Sequence, residues 1–243
     1  MNMTEQQASQ WEAMHEIENI MGRYSFLTML IKDAEVFEKF WSHDDPCLGM
    51  NDGYYIGYEA VKGYFDARRT LADVRAAAAK AAYPEQLGGM DEDELRGVGA
   101  LHAPNMCTPV IEVASDLKTA KGLWFLMGGE VDFYPSGWDS TMCWGRLGVD
   151  FVCENGAWKI KNMVYAEDIR TPFGVGWDVK RAEKPADPAF ASVAEVKIPE
   201  PTVKCTVHEL WNDRRQLRAF PRIPEPFDTF GETFSYGYEE AGA

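Results

Sequence analysis

The chain has 243 residues, 24 Lys plus Arg against 39 Asp plus Glu, 46% hydrophobic and 13% aromatic residues, and five cysteines. That length is ample for an independent core, and the near-average composition excludes a collagen, a wholly disordered chain and a disulfide-dense scaffold. A net charge of −15 and a pI near 4.7 oppose phosphate backbones and anionic lipid heads, so neither nucleic acid nor membrane is an expected partner.

The first residues, MNMTEQQASQW, carry neither a basic nor an apolar leader region, and no later apolar run reaches membrane-spanning length, so a cytoplasmic location is expected. Ser9 and Glu12 have capping-box spacing. Beyond them Ile17, Ile20, Met21, Tyr24, Leu27, Thr28 and Ile31 recur at helical intervals, predicting a helix over 12–32. A short second helix is expected over 34–41, stopped by the HDDP stretch because the residue before Pro46 is pushed away from helical geometry. A short strand over 54–56 precedes Gly57, and the alanine-rich stretch that follows predicts a third helix over 58–83. The acidic, glycine-bearing segment 84–99 reads as a surface loop.

From there the period changes to that of sheet. Four β-rich stretches, 101–113, 120–133, 138–153 and 158–168, are separated by the turns SDLK, YPSG and ENGA. Asn155-Gly156 is a tight-hairpin signal, since both residues tolerate positive φ. Helices followed by an antiparallel meander indicate an α+β domain with helices on one face of a curved sheet. After Thr171 come eight of the thirteen prolines among scattered aromatics such as Trp211, Phe220, Phe234 and Tyr236. Such a segment cannot continue a sheet yet is too apolar for a free linker, so it is expected to pack over its own domain or a neighbouring subunit. The expected division is a domain over 1–170 and an extension over 171–243. The cysteines are odd in number and never form CxxC, which predicts reduced core thiols.

EIENIMGRYSFLTMLIKDAEVFEKFW, the helix after Gly57, CTPVIEVASDLKTAKGLWF and GRLGVDFVCENGAWKIKNMVY together resemble the SnoaL-like branch of the nuclear transport factor 2-like superfamily, over residues 10–170. The resemblance implies a cone-shaped α+β barrel: three N-terminal helices and a strongly curved mixed or antiparallel sheet enclose one deep pocket. It also implies a homodimer or homotrimer built on the outer sheet face, and chemistry without a cofactor. Activities in this superfamily range from dehydratases and isomerases to non-catalytic binders, so the side chains must decide.

Three residues are candidates for catalysis. His102 begins a pocket-lining strand, as in dehydratase-like members, and reads as a general acid or base or as a hydrogen-bonded structural histidine. Tyr24, in an Arg23-Tyr24 pair that matches an RY element of the family, is a proton donor or oxygen anchor, or an ordinary core tyrosine. Glu130 would sit at the pocket rim as a base whose pKa burial could raise, or as a solvated carboxylate. Arg68 shares a helix side with Val61 and Phe65 and could stabilise an oxyanion. Asn162, where many members have a histidine, could orient an oxygen, and by strand alternation it shares a face with Trp158, Ile160 and Val164. Trp41, Met106 and Trp124 complete an expected lining for a flat aromatic ligand. The aspartate that many members carry five residues after the tyrosine is Met29 here, and Asp33 is expected to fall beyond the helix face of Tyr24.

His15, His43, His102 and His208 are dispersed, so no metal is expected, and no dinucleotide- or phosphate-binding motif occurs. Among superfamily members, the long acidic chain, aromatic content and proline-rich arm are most similar to diarylpropane lyases, which deformylate lignin-derived dimers to stilbenes. The expected activity is therefore a cofactor-independent lyase on a small phenolic substrate. A dehydratase, a ketosteroid-type isomerase or a hydrophobic-ligand binder are the alternatives.

Overall fold

A computed structural model describes residues 5–134, 137–176 and 188–238. Helix α1 (Glu5–Met29) already includes the seven residues before the expected start at residue 12, and its buried residues Ala13, Ile17 and Met21 recur every fourth position. The early turns are held from outside: Gln10 Nε2 donates to the Val113 carbonyl at 2.8 Å and Gln6 Nε2 to that of Ser115 at 3.1 Å. The helix ends where Ile31 takes a left-handed conformation, φ 59°, which strains a β-branched residue. Helix α2 (Asp33–Phe40) follows at once, burying Val36, Phe37 and Phe40. A hairpin of β1 (Cys47–Met50) and β2 (Gly53–Ile56) leads to α3 (Tyr58–Ala82), which buries Val61 and Phe65.

The segment expected to be a loop instead contains two short helices, α4 (Pro84–Leu87) and α5 (Glu92–Gly97). Asp91 and Glu94 cap α5 reciprocally, and Leu87 and Leu95 bury against Ala76 and Ala79 of α3. The acidic composition that suggested a loop is a capping box plus one solvated helical face.

Strands β3 (Leu101–Val113), β4 (Thr119–Tyr134), β5 (Gly137–Glu154) and β6 (Ala157–Pro172) form the antiparallel meander. With β1 parallel to β6, and β7 (Val203–Lys204) added against β2, the order is β3-β4-β5-β6-β1-β2-β7, a mixed seven-stranded curved sheet. Pro104 and Pro109 sit in β3, an edge strand, where a missing donor is tolerated. Asn155 and Gly156 both have positive φ, as the hairpin signal requires. Pro135 and Ser136 of the YPSG turn, and Pro185, lie outside the described residues.

The helices pack on one face of the sheet. That core joins Ile17, Phe37, Phe65, Trp124, Phe151 and Ile160 among others. The C-terminal residues cover the opposite face of their own sheet, where Phe234 and Tyr236 bury against Cys47, Tyr54 and Val164. The peptide N–H groups of Ser115 and Asp116 donate to the Phe227 and Asp228 carbonyls. Beneath this strap, Lys121 Nζ lies 2.6 Å from Asp150 Oδ1 in a fully buried ion pair. All five cysteines are free. No helix among the described residues is long and apolar enough to cross a membrane.

Candidate active site

Between the helices and the sheet lies a cavity of about 140 Å³, lined by α1, the first residue of α2, α3, β1 and β3 to β6. Its apolar part includes Leu48, Phe65, Met106, Leu126, Leu147 and Met163, and its polar groups include Tyr24, Asp33, Tyr64, Arg68, His102, Glu130 and Tyr165. Of the residues singled out in the sequence, Tyr24, His102, Glu130, Arg68 and Met106 meet here.

Strand pairing places the histidine. His102 of β3 is directly opposite Glu130 of β4, and Asp132, two residues along β4, falls on the same face. His102 Nε2 lies 2.9 Å from Asp132 Oδ2, with 12% of the histidine side chain exposed. Arg75 Nη1 is 2.8 Å from the other Asp132 oxygen. Arg68 Nη2, which can only donate, faces His102 Nδ1 at 3.5 Å. In the neutral imidazole this assigns the hydrogen to Nε2 and the lone pair to Nδ1. Burial works against the Asp132 charge, but the His102 hydrogen bond and the nearby cations win, holding its pKa below the usual carboxylate value.

The missing aspartate is supplied from elsewhere. Asp33 lines the cavity, almost fully buried, with Oδ1 2.7 Å from Arg68 Nε. A continuous α1 would have carried Asp33 away from Tyr24. The left-handed turn at Ile31 ends that helix and returns the chain, correcting the expectation from helical periodicity. Burial opposes the Arg68 charge, yet Asp33 and its neighbours raise the pKa above its ordinary value, fixing a cation at the cavity wall. The Tyr24 phenol is pushed well above its ordinary pKa, first by burial and then by the Asp33 charge, so it keeps its proton and acts as a hydrogen-bond donor.

Glu130 departs from both readings of it. Burial would raise its pKa, but Arg170, whose Nη1 lies 2.7 Å from Oε2, pulls it below normal, leaving a paired carboxylate and a poor base. Arg170 is held in turn by Glu167 at 2.8 Å. The Cys143 thiol also lines the cavity, with burial pushing its pKa up to about 12, so it is not a ready nucleophile.

Three expected lining residues do not line this cavity. Trp41 and Trp124 are core: Trp41 packs edge-on to Phe65 at 5.7 Å, and Trp124 edge-on to Phe151 at 6.3 Å. Asn162 faces the other side of the sheet, donating to Asp150 Oδ2 at 2.9 Å and Ser235 Oγ at 3.1 Å. The cause is a β-bulge. Asp150 pairs with Asn162 but Phe151 with Ile160, so Lys161 is the extra residue and strict alternation fails there. Met163 and Tyr165 therefore line the cavity, while Val164 packs under the C-terminal strap.

The residues that sequence reasoning missed are Asp33, Tyr64, Asp132, Tyr165 and Arg170. Two of them carried a signal: Tyr64 completes the 61, 64, 65, 68 helical face, and Asp132 continues the 126, 128, 130 alternation. Among the described residues no group of three or more His, Cys, Asp or Glu side chains is placed to hold a metal ion.

The depressed Asp132 and Glu130 values predict acid lability. A carboxylate whose folded pKa lies below its unfolded value stabilises the fold above about pH 4, and that contribution is lost as pH falls through the folded value. Denaturant titrations between about pH 5 and 2 should therefore show stability falling with acid, and Asp132→Asn should flatten that slope.

No family model matches the chain, and no curated protein matches it. Solved structures are similar at low identity. A protein from Novosphingobium aromaticivorans DSM 12444, provisionally described as a scytalone dehydratase, is 16% identical; the match covers 72% of this chain and 99% of that one, with TM-score 0.47. The hexachlorocyclohexane dehydrochlorinase LinA-type3 of Novosphingobium barchaimii LL02 is 11% identical, covering 72% and 99%, with TM-score 0.46. An NTF2-like protein with a cystatin-like fold from Novosphingobium aromaticivorans is 15% identical, covering 65% and 82%, with TM-score 0.40. At these values nothing about activity passes from them to this chain.

Proposed function

We propose that the chain is a cofactor-independent lyase acting on a phenolic aromatic compound, and specifically that it deformylates a diarylpropane diol to a stilbene. The observation that carries this reading is the convergence, on one largely apolar cavity, of a histidine backed by a carboxylate (His102 and Asp132), a fixed cation (Arg68) and a protonated phenol (Tyr24). An apolar cavity near 150 Å³ accepts a benzene-sized ring, so the space of about 140 Å³ suits one aryl group.

The chemistry balances with these groups alone. The substrate enters as its phenolate, stabilised by Arg68, and the ring electrons expel the benzylic hydroxyl. Protonated His102 gives its proton to that oxygen, so water leaves and a quinone methide forms. Neutral His102 then takes the proton of the primary alcohol through Nδ1. The carbon–carbon bond breaks, its electron pair restores the aromatic phenolate, and formaldehyde departs. One residue thus returns to its starting protonation state, with Tyr24 as an oriented donor to a substrate oxygen. The quinone methide is the electron sink, so the substrate supplies what an organic cofactor otherwise provides. Exclusion of water would keep that intermediate from being trapped.

A dehydratase is the second reading, favoured by the presence of both Asp33 and His102 on the cavity wall. It would stop after loss of water. Incubation with a phenolic 1,2-diaryl-1,3-propanediol separates the two. The lyase releases formaldehyde and stilbene in equal amounts, whereas a dehydratase yields a product of unchanged carbon count, and a binder retains the compound unaltered. The same diol methylated on its phenol cannot form a quinone methide and should bind but give no stilbene. Turnover of the methyl ether at the rate of the free phenol would overturn the mechanism.

A further inference from the structure

Arg68 and Arg75 stand two turns apart on one side of α3, and both line a chamber of about 300 Å³ that shares His102 with the first cavity. They act on the same imidazole from opposite ends. Arg68 Nη2 faces Nδ1 directly at 3.5 Å. Arg75 reaches the ring through Asp132: its Nη1 lies 2.8 Å from Oδ1, while Oδ2 is 2.9 Å from His102 Nε2. Only 16%, 7% and 12% of the Arg75, Asp132 and His102 side chains are exposed, so little water screens these charges. Among the described residues no donor makes a hydrogen bond to Asp132 Oδ1, so Arg75 acts on that carboxylate by charge.

The arrangement governs how readily a His102 imidazolium parts with its proton. Asp132 opposes that loss, because an ionised carboxylate at Nε2 favours the cation. Arg68 promotes it, since a guanidinium can only donate and repels a hydrogen on Nδ1. Arg75 promotes it as well, by sharing the Asp132 charge. The other charged groups around the ring are themselves paired: Glu130, directly across from His102, with Arg170, and Asp33 with Arg68.

We propose that Arg75 is a positioning residue that works through Asp132: it anchors the carboxylate and shares its charge, keeping the His102 imidazolium acidic enough to give its proton to the departing hydroxyl. This rests on the proton-carrier role proposed for His102 and adds the group that sets its strength. A buried ion pair that only ties α3 to β4 is the competing account. It predicts lost stability and no change in the histidine.

An NMR titration of the full-length protein labelled at histidine tests this without substrate, the His102 signal being identified among the four histidines by its loss in His102→Gln. In Arg75→Met the midpoint of that signal should rise by about one pH unit, the scale expected when a nearby charge is removed. Arg75→Lys retains the charge and should stay close to the parent midpoint. Arg75→Gln keeps a donor but loses the charge, so it should match the methionine variant, and it replaces that variant if the latter does not fold. With the phenolic diol, the alkaline limb of kcat/KM should move up in step with the midpoint in Arg75→Met. Its kcat should fall at least about threefold, because a more stable imidazolium is a weaker acid. A midpoint unmoved in both neutral variants, or raised as far by lysine as by methionine, overturns the proposal. Diol turnover with an unmoved midpoint refutes the role of Arg75 alone. A raised midpoint in a protein that releases no formaldehyde refutes the lyase alone.

Discussion

Replacing His102 with alanine is expected to slow turnover of the phenolic diol by at least about a hundredfold, the usual scale for losing a proton-transfer group, with the loss in kcat. In the proposed cycle this one imidazole both gives and takes a proton, and no neighbour can take over its work. Glu130 is held as an ionised partner of Arg170, and Tyr24 keeps its proton because burial and Asp33 raise its pKa. The variant should still fold, since Asp132 retains Arg75 at 2.8 Å and is not left as an orphaned buried charge. Asp132→Asn should also be slow, because the amide can turn a donor toward Nε2 in place of an acceptor. Combining the two substitutions should cost little more than His102→Ala alone, the non-additivity expected of groups acting as a unit. Tyr24→Phe removes a positioning hydrogen bond rather than a proton carrier, so it should cost less, about tenfold. A His102→Ala protein that turns over the diol at the original rate would remove the histidine from the mechanism.

The legible parts of the fold were those in which local pattern and tertiary role agree. The three principal helices, the four long strands and the Asn155-Gly156 hairpin all follow from period and turn chemistry. What periodicity misses is any point where the chain leaves its own period. Ile31 breaks a helix in a conformation its side chain disfavours and thereby brings Asp33 to Arg68. The extra residue Lys161 reverses the faces of β6, sending Asn162 out and bringing Met163 and Tyr165 in. Neither departure has a glycine or proline to announce it. Strand β1 was equally hidden, because CLGM is too short for a period and is fixed by pairing with β6, more than a hundred residues away. Trp41 and Trp124 misled in the opposite way, as large aromatic side chains serve a core and a ligand pocket equally well.

Asp150→Ala should be the most destabilising single change on the far side of the sheet, costing about 3–5 kcal/mol, the range for removing one partner of a buried ion pair. Lys121 and Asp150 are both wholly buried. The aspartate also accepts from the Tyr236 peptide N–H at 2.7 Å, Ser235 Oγ at 2.9 Å and Asn162 Nδ2 at 2.9 Å, so it joins β4, β5, β6 and the C-terminal strap at one point. Removing it leaves those donors to find other partners and the ammonium without its carboxylate. The rings of Phe230 and Phe234, 4.5 and 4.7 Å from Nζ, offset only part of that cost. The strap's contacts radiate from this carboxylate, so the strap should loosen before the meander unfolds. Limited proteolysis of the variant should then cut within 222–238 while the strands stay protected, and the denaturant midpoint should fall with the lost stability. A paired Lys121→Met and Asp150→Leu replacement removes both charges together and should be markedly less damaging than Asp150→Ala, as replaced buried ion pairs generally are. If the single variant is as stable as the parent chain, or the double variant is worse than the single, the pair is not what fastens the strap.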